Sequence, residues 1–446
     1  MRPRLRTCPI QLLPIETLRG ILKAVLEDIA EQDMMKAPVH VDRVPMGEYP
    51  FPNTMALVCR RWRDIVSSAP ELWTRIFCVL PESEDQQALD FQLKKAGNLT
   101  PIDLTIVDLN TEDRLSLNKV MLTIIPHIRR LRSLRIQISD YFFPCLFDAL
   151  RGDVPLLECL RLRCGFAYFV GIPPPLGINC PRIRILDVRG DLIRSPNYRW
   201  VKENMANVES VTISQTSEDF SRALNSIPRR IPCLTLENMR QDSSYLLETI
   251  GAEKVILSRS AIPSTLGSID ENCKTIAFHD CNISEIYQLA SRGRLPSSNT
   301  LEFDRCQTFL PYPREKSFNF AWNGHTVTVL NCDLRSIKVL LEMLTARFMD
   351  RSCFMWPRVT TLTLVARGDF IMKFSVKLLK TMISNRREAA VQENLGIAKA
   401  EVDDTGYKGV HPIIVLHVHG GPALSRSDRS WFMENVKDFV WDYKKK

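Results

Sequence analysis

The chain has 446 residues and a formal net charge of +8, with 45% hydrophobic and 25% charged residues, the make-up of a soluble globular protein of one large or two to three ordinary domains. Its thirteen cysteines stand singly with no C-x-x-C pair, which excludes a regular disulfide framework and predicts reduced core residues in a cytoplasmic or nuclear protein. No run of eighteen apolar residues predicts a membrane span, MRPRLRTCPIQLLPIE lacks the apolar core of a secretory signal, and the modest positive charge does not demand nucleic acid. The first predicted element is a helix in LLPIETLRGILKAVLEDI. Pro14 suits its first turn, where a missing N–H costs nothing, and Leu18, Ile21, Leu22, Val25 and Ile29 form an apolar stripe at helical spacing. Residues 31–52 follow with Pro38, Pro45, Gly47, Pro50 and Pro52, and read as a loop. A second helix is predicted from a cap at Asn53 or Thr54, with Val58, Trp62 and Ile65 stacked on one side and Arg60, Arg61, Arg63 and Asp64 on the other. Pro70 then opens a short helix carrying Leu72 and Trp73. So much apolar bulk in so small a helical unit requires a covering layer, from this chain or from another.

Leu-Pro-x-Glu with a helix, then Leu-Val-Cys-x-x-Trp, then Pro-x-Leu-Trp, resembles the F-box family, in the interrupted form common in mushroom-forming fungi. The matching positions are Leu13, Pro14, Glu16, Ile21, Leu22, Leu57, Val58, Cys59, Trp62, Leu72 and Trp73. The resemblance covers about residues 11 to 80. It implies that these helices dock on the Skp-type adaptor of a cullin–RING ubiquitin ligase. By the same resemblance, Leu13, Pro14, Glu16, Ile21, Leu22, Leu57, Val58, Trp62, Leu72 and Trp73 form the docking surface. A loop inserted between packed helices costs little, because closure entropy grows only with the logarithm of loop length.

Residues 81–98 read as a linker helix, and from about residue 99 the chain repeats itself. Pro155-x-Leu157-x-x-Leu160-x-Leu162 returns as Pro181-x-Ile183-x-x-Leu186-x-Val188 and Pro357-x-Val359-x-x-Leu362-x-Leu364. Anchors at Leu134, Leu160, Leu186, Val211, Leu234, Val255, Ile276, Leu301 and Val327 are separated by 21 to 26 residues, within the leucine-rich-repeat range. Cys281, Cys306 and Cys332 fall where such repeats place Asn or Cys to turn the chain away from the strand. The expected fold is therefore α/β: a small N-terminal helical F-box, then a leucine-rich-repeat solenoid over 99–424 with parallel strands on its concave face. Residues 385–409 read as a mobile insertion before a strand around Ile413 to His417. Phe432, Val436, Phe439, Val440 and Tyr443 predict a closing helix over Ser430 to Tyr443, within a capping segment and basic tail at 425–446. Residues 1–10 read as a flexible tail.

In L-x-x-L-x-L the anchors point inward and the residues between them point out. Arg135, Arg161, Arg163 and Arg189 take such outward positions in successive repeats, with Ser210, Thr212 and Ser214 next, and Glu302 and Asp304 later. These arginines are the candidate target-binding residues, suited to an acidic or phosphorylated segment, against the plainer reading of a solvated basic face. His417 and His419 share a face if their segment is a strand, but no further ligand accompanies them, and a structural role is expected. No P-loop, dinucleotide Gly motif, G-x-S-x-G elbow or H-E-x-x-H helix is present, so no catalytic residue, cofactor or metal is expected. The combined expectation is a substrate-recognition subunit of a cullin–RING ligase that joins a Skp-type adaptor to an unidentified target. The alternative is a non-catalytic repeat scaffold with no part in ubiquitin transfer, with nucleic acid a less favoured ligand.

Overall fold

The computed structural model describes residues 12–35, 52–80, 83–108, 114–138, 150–164, 176–189, 200, 203–204, 206–214, 230–238, 251–260, 272–286, 298–308, 322–345, 356–367, 370, 372–394 and 410–443. The sequence-predicted tail at 1–10, most of the 31–52 loop, residues 395–409 and the terminal lysines lie outside them. The chain is mixed α/β and divides into two compact units, Met1–Val188 with Ser195–Asn207, and Arg189–Arg194 with Val208–Lys446.

The first unit opens with helices. Helix α1 (Ile15–Met35) begins directly after Pro14 and carries Glu16 in its first turn, where a negative charge suits the helix dipole. Then come α2 (Asn53–Ala56), α3 (Arg60–Ser68) and a 3-10 turn, Pro70–Trp73. Leu18, Leu22, Ile65, Val66, Ala69, Leu72, Trp73 and Ala96 make one core, with Leu13, Met55, Ala56 and Trp62 packed on it. The Trp73 indole N–H donates to the Val66 carbonyl at 2.8 Å, so the largest side chain of this core is also satisfied as a donor. Arg19 forks onto Glu71 and Arg61 donates to the Leu13 carbonyl, tying α1 to the later helices.

Two expectations change here. The segment predicted as one helix from Asn53 is two, because Cys59 is extended (φ −163°, ψ 170°) and breaks the axis. The core face restarts at Trp62, and Val58 is left in the turn outside the stripe. Neither helix has a side-chain cap bond from its N-cap residue, so the Asn53 or Thr54 cap is replaced by Pro52 preceding α2. The helical domain expected to run to residue 80 instead gives way to a strand, β1 (Arg75–Leu80). Ile76, Cys78 and Leu80 alternate inward in the strand period.

Helix α4 (Ser83–Lys95) is the expected helix of 81–98, but Ala96 at its end belongs to the core, so it is packed structure rather than a spacer. Gly97 ends it with φ +68°, a conformation that favours glycine. Buried Arg130 then donates to the carbonyl of Leu93 in the last turn of the helix and to those of Gly97 and Thr100 beyond it. Strand β2 (Ile102–Asp108), α5 (Arg114–Ile124), a 3-10 turn (Ile125–Arg130), β3 (Leu131–Ile138), β4 (Arg151–Asp153), β5 (Cys159–Cys164), β6 (Gly177–Asn179) and β7 (Ile185–Arg189) complete the unit. Strands β1, β2, β3, β5 and β7 are parallel neighbours in that order, and β4 pairs with β6 apart from them.

Among the described residues the second unit holds nine parallel strands in chain order: β8 (Ser210–Ser214), β9 (Arg230–Glu237), β10 (Gly251–Ser258), β11 (Thr275–His279), β12 (Thr300–Asp304), β13 (Thr326–Leu330), β14 (Thr361–Val365), β15 (Val415–Gly421) and β16 (Asp438–Tyr443). Helices α6 (Leu334–Thr345), α7 (Val376–Asn394) and α8 (Arg426–Asn435) lie between the last strands in sequence. The anchors are register partners: Val211, Leu234, Val255, Ile276, Leu301, Val327, Leu362 and Leu416 align strand to strand. All are buried.

A ladder at the strand ends explains the aligned cysteines. Asn238, Arg259, Asp280, Arg305 and Asn331 each follow a strand with φ between 48° and 53°. Each donates its backbone N–H to the next strand at 2.9–3.0 Å. After four of these left-handed residues a small donor points back: Ser260 to the Leu236 carbonyl, Cys281 to Leu257, Cys306 to Phe278 and Cys332 to Phe303, at 3.1–3.6 Å. The cysteines therefore act as turn residues, and Ser260 takes the same role one strand earlier.

Two C-terminal expectations are corrected. Residues 385–394 continue α7 and are anchored by Arg386, whose guanidinium is fully buried among carbonyls. The segment Ser430–Tyr443 is not one helix: Val436 is extended and Asp438–Tyr443 pairs in parallel with β15. Phe432, Val436, Phe439 and Tyr443 fit helical spacing, but Phe439-Val440-Trp441 is an aromatic and β-branched run that suits a strand. Its rings pack back on Phe432, with centroids 5.4 Å from it. The terminal strand expected at Ile413–His417 lies slightly later, at Val415–Gly421.

Candidate functional site

The expected docking residues separate into two groups. Leu22, Leu72 and Trp73 are buried in the helical core, and Leu13 and Trp62 are partly buried against it. Packing by these five holds the unit together, and the fully buried three present nothing to a partner; to that extent the expected docking surface is corrected. Pro14, Glu16, Ile21, Leu57 and Val58 are exposed, Leu57 at 75% and Val58 at 59%.

The exposure follows from local geometry. On α1, Leu18, Leu22 and Leu26 turn inward at i, i+4 and i+8, while Ile21 and Val25, on the flank of the same expected stripe, are exposed. The side chain of Ile29 lies outside the described residues. Leu57 and Val58 project from the turn that extended Cys59 creates. Single exposed apolar residues are ordinary, but Ile15, Ile21, Val25, Leu57 and Val58 crowd one small unit that already has a filled core of its own. Arg19, Lys23, Arg60 and Arg63 stand on the same helices.

The second group of expected site residues lies on the half-buried face of the first unit's strands. Arg135 and Arg161 are register partners on β3 and β5. Arg163 is not free for a target: its Nε and Nη2 donate to Asp187 Oδ2 at 3.0 and 2.8 Å, and Asp187 is buried. The backbone of Arg189 closes β7, and its side chain lies outside the described residues. Arg75 joins the group from β1, a strand the repeat pattern did not reveal. The alternation Arg75-Ile76-Phe77-Cys78 was the available signal. The Arg135 guanidinium is pushed below its usual range by burial first, and then by the positive charges of Arg161 and Arg75.

The corresponding face of the second unit is different. Thr275, Thr300, Thr326 and Thr361 form one cross-strand row, with Thr328 and Thr363 beside it. Its charges are paired: Lys254 Nζ lies 2.9 Å from Glu302, and His279 Nε2 lies 3.6 Å from the same carboxylate. Glu302 is held down to about 2 by the His279 imidazole first and the Lys254 ammonium next, against the opposing effect of burial. His417 and His419 do share a face, and each meets a carboxylate of β16, Asp438 at 3.2 Å and Asp442 at 2.7 Å. Among the described residues no three potential ligands converge on one point, and no helix is long and apolar enough to cross a membrane.

No protein-family model matches this chain, and no curated protein matches it.

Proposed function

We propose that this chain is a substrate receptor of the F-box type, its N-terminal helices docking on a Skp-type adaptor of a cullin–RING ubiquitin ligase while its strands, as a leucine-rich-repeat ribbon, hold a target protein. The observation that carries the reading is the exposed apolar set Ile21, Val25, Leu57 and Val58 on a helical unit whose own core is already complete. In this reading Pro14, Glu16, Ile21, Val25, Leu57 and Val58 meet the adaptor, and Leu22, Leu72 and Trp73 hold that surface in shape from beneath. Catalysis belongs to the ligase. The receptor contributes only proximity, raising the effective concentration of a target lysine near the charged enzyme.

The buried residues are poor probes, since Trp73→Ala would empty the core, at a cost of about 3–5 kcal/mol. Leu57→Asp with Val58→Asp is the suitable variant, because both side chains are exposed. Affinity purification of the full chain is expected to recover adaptor and cullin, and the double variant to lose both while other partners remain. Equal recovery of adaptor by the variant, or no adaptor with either chain, overturns the proposal. Adaptor without cullin or ubiquitinated partner would instead make the chain a repeat scaffold.

A further inference from the structure

Helix α1 packs along one stripe, Leu18, Leu22 and Leu26, and has a flank on each side of it. At about 100° per residue, Ile21 and Val25 lie about 60° and 20° to one side of Leu18, while Arg19 lies about 60° beyond Leu22 on the other. The exposed apolar pair and the charged group therefore sit on opposite flanks of the same packed stripe. Any rotation of the helix about that stripe moves both flanks together.

The Arg19 flank is held. Its Nε and Nη2 donate to Glu71 Oε1 and Oε2, the second at 2.9 Å. The Arg19 guanidinium keeps the Glu71 carboxyl below the usual carboxylate range, and Glu71 raises Arg19 in turn. Glu71 is a firm anchor, because Leu72 and Trp73 beside it are buried and the Thr74 hydroxyl donates to its carbonyl at 3.1 Å. A two-point fork fixes direction as well as distance. Buried leucines alone do not, since apolar contact is non-directional.

The two side chains are 43% and 31% exposed, so the pair contributes little to stability. Its consequence is geometric. Ile21 and Val25 come from α1, Leu57 and Val58 from the turn before α3, and residues 36–51 separate the two segments in sequence. They make one surface only at one setting of α1 against the later helices. The fork fixes that setting on the Arg19 flank, and Arg61, donating to the Leu13 carbonyl, fixes the entry to the helix.

We propose that Glu71 is a positioning residue: through Arg19 it sets the rotation of α1 and so aligns Ile21 and Val25 with Leu57 and Val58 for one partner. The proposal rests on the receptor reading above.

The full-length chain is titrated with a Skp-type adaptor, and thermal melting is followed on the same samples. Arg19→Glu and Glu71→Arg are each expected to weaken adaptor binding by about fivefold or more. The double reversal should return to within about twofold of the parent, because it rebuilds the pair with the charges exchanged. Melting temperatures should stay within about 3 °C of the parent throughout, as fits a half-exposed pair. Unchanged affinity in the single reversals overturns the proposal. So does a double reversal as weak as the single ones, which would put Arg19 or Glu71 in contact with the adaptor itself. A melting temperature that falls in step with affinity overturns it too, by making the pair a contact of the fold. Each of these outcomes leaves the parent binding the adaptor and so fails the proposal alone; a parent that does not bind fails the receptor reading and the proposal with it.

Discussion

The N-terminal helices and the strands of the second unit handle apolar surface in opposite ways. In the second unit every anchor from Val211 to Leu416 finds its partner on the next strand and is buried. Even the turns are closed by this chain's own donors at Ser260, Cys281, Cys306 and Cys332. The helices also build a core, yet leave Leu57, Val58, Ile21 and Val25 facing out. A strand that stacks on its neighbour covers its anchors, whereas a small helical unit has no next copy to cover its flank.

The largest effect is expected where the closed region depends on one side chain. Arg386 is fully buried and donates to the carbonyls of Leu344, Trp356, Pro357, Val359 and His411 at 2.9–3.2 Å. Burial pushes its guanidinium down to about 10, so it keeps its charge at neutral pH. Arg386→Ala orphans several carbonyls at once and should cost about 4 kcal/mol or more in a urea titration. Arg386→Lys, with three donors instead of a five-donor fork, should fall between. A loss under about 1 kcal/mol would mean that this part of the unit is not closed as described.

A smaller effect sharpens the same side of the comparison. The Glu302 carboxyl lies at about 2 when folded, below its ordinary 4.5. A depressed carboxylate stabilises the fold fully above the unfolded value and loses that contribution as pH falls through the folded one. Stability should therefore drop between about pH 4.5 and about pH 2, by about 1–2 kcal/mol from this group. Glu302→Gln should flatten that part of the urea-midpoint profile; an unchanged slope would show that Lys254 and His279 do not hold it.

How much of this was legible in the sequence depends on whether a residue's neighbour is set by spacing or by folding. The strand anchors were legible, because a repeat of 21 to 26 residues places like against like in register. Cys281, Cys306 and Cys332 were legible as turn residues for the same reason, while Ser260 was missed because serine carries no such pattern. Val58 was read as part of a helical stripe, since nothing in Leu57-Val58-Cys59 announces an extended Cys59. Phe432 to Tyr443 fits both periods, and only pairing with β15 decides it. The arginines were legible as a group, but that Asp187 silences Arg163 while Arg135 stays unengaged among the described residues is a matter of three-dimensional contact.

The central claim is that the open side of the helical unit is covered by an adaptor. Hydrogen exchange of the purified full-length chain, with and without a Skp-type adaptor, reads this at the backbone. Added adaptor should slow exchange in the first three turns of α1 and across residues 53–62, and leave strands β8 to β15 unchanged. No protection in those helices at saturating adaptor, or protection confined to the strands, would contradict the account.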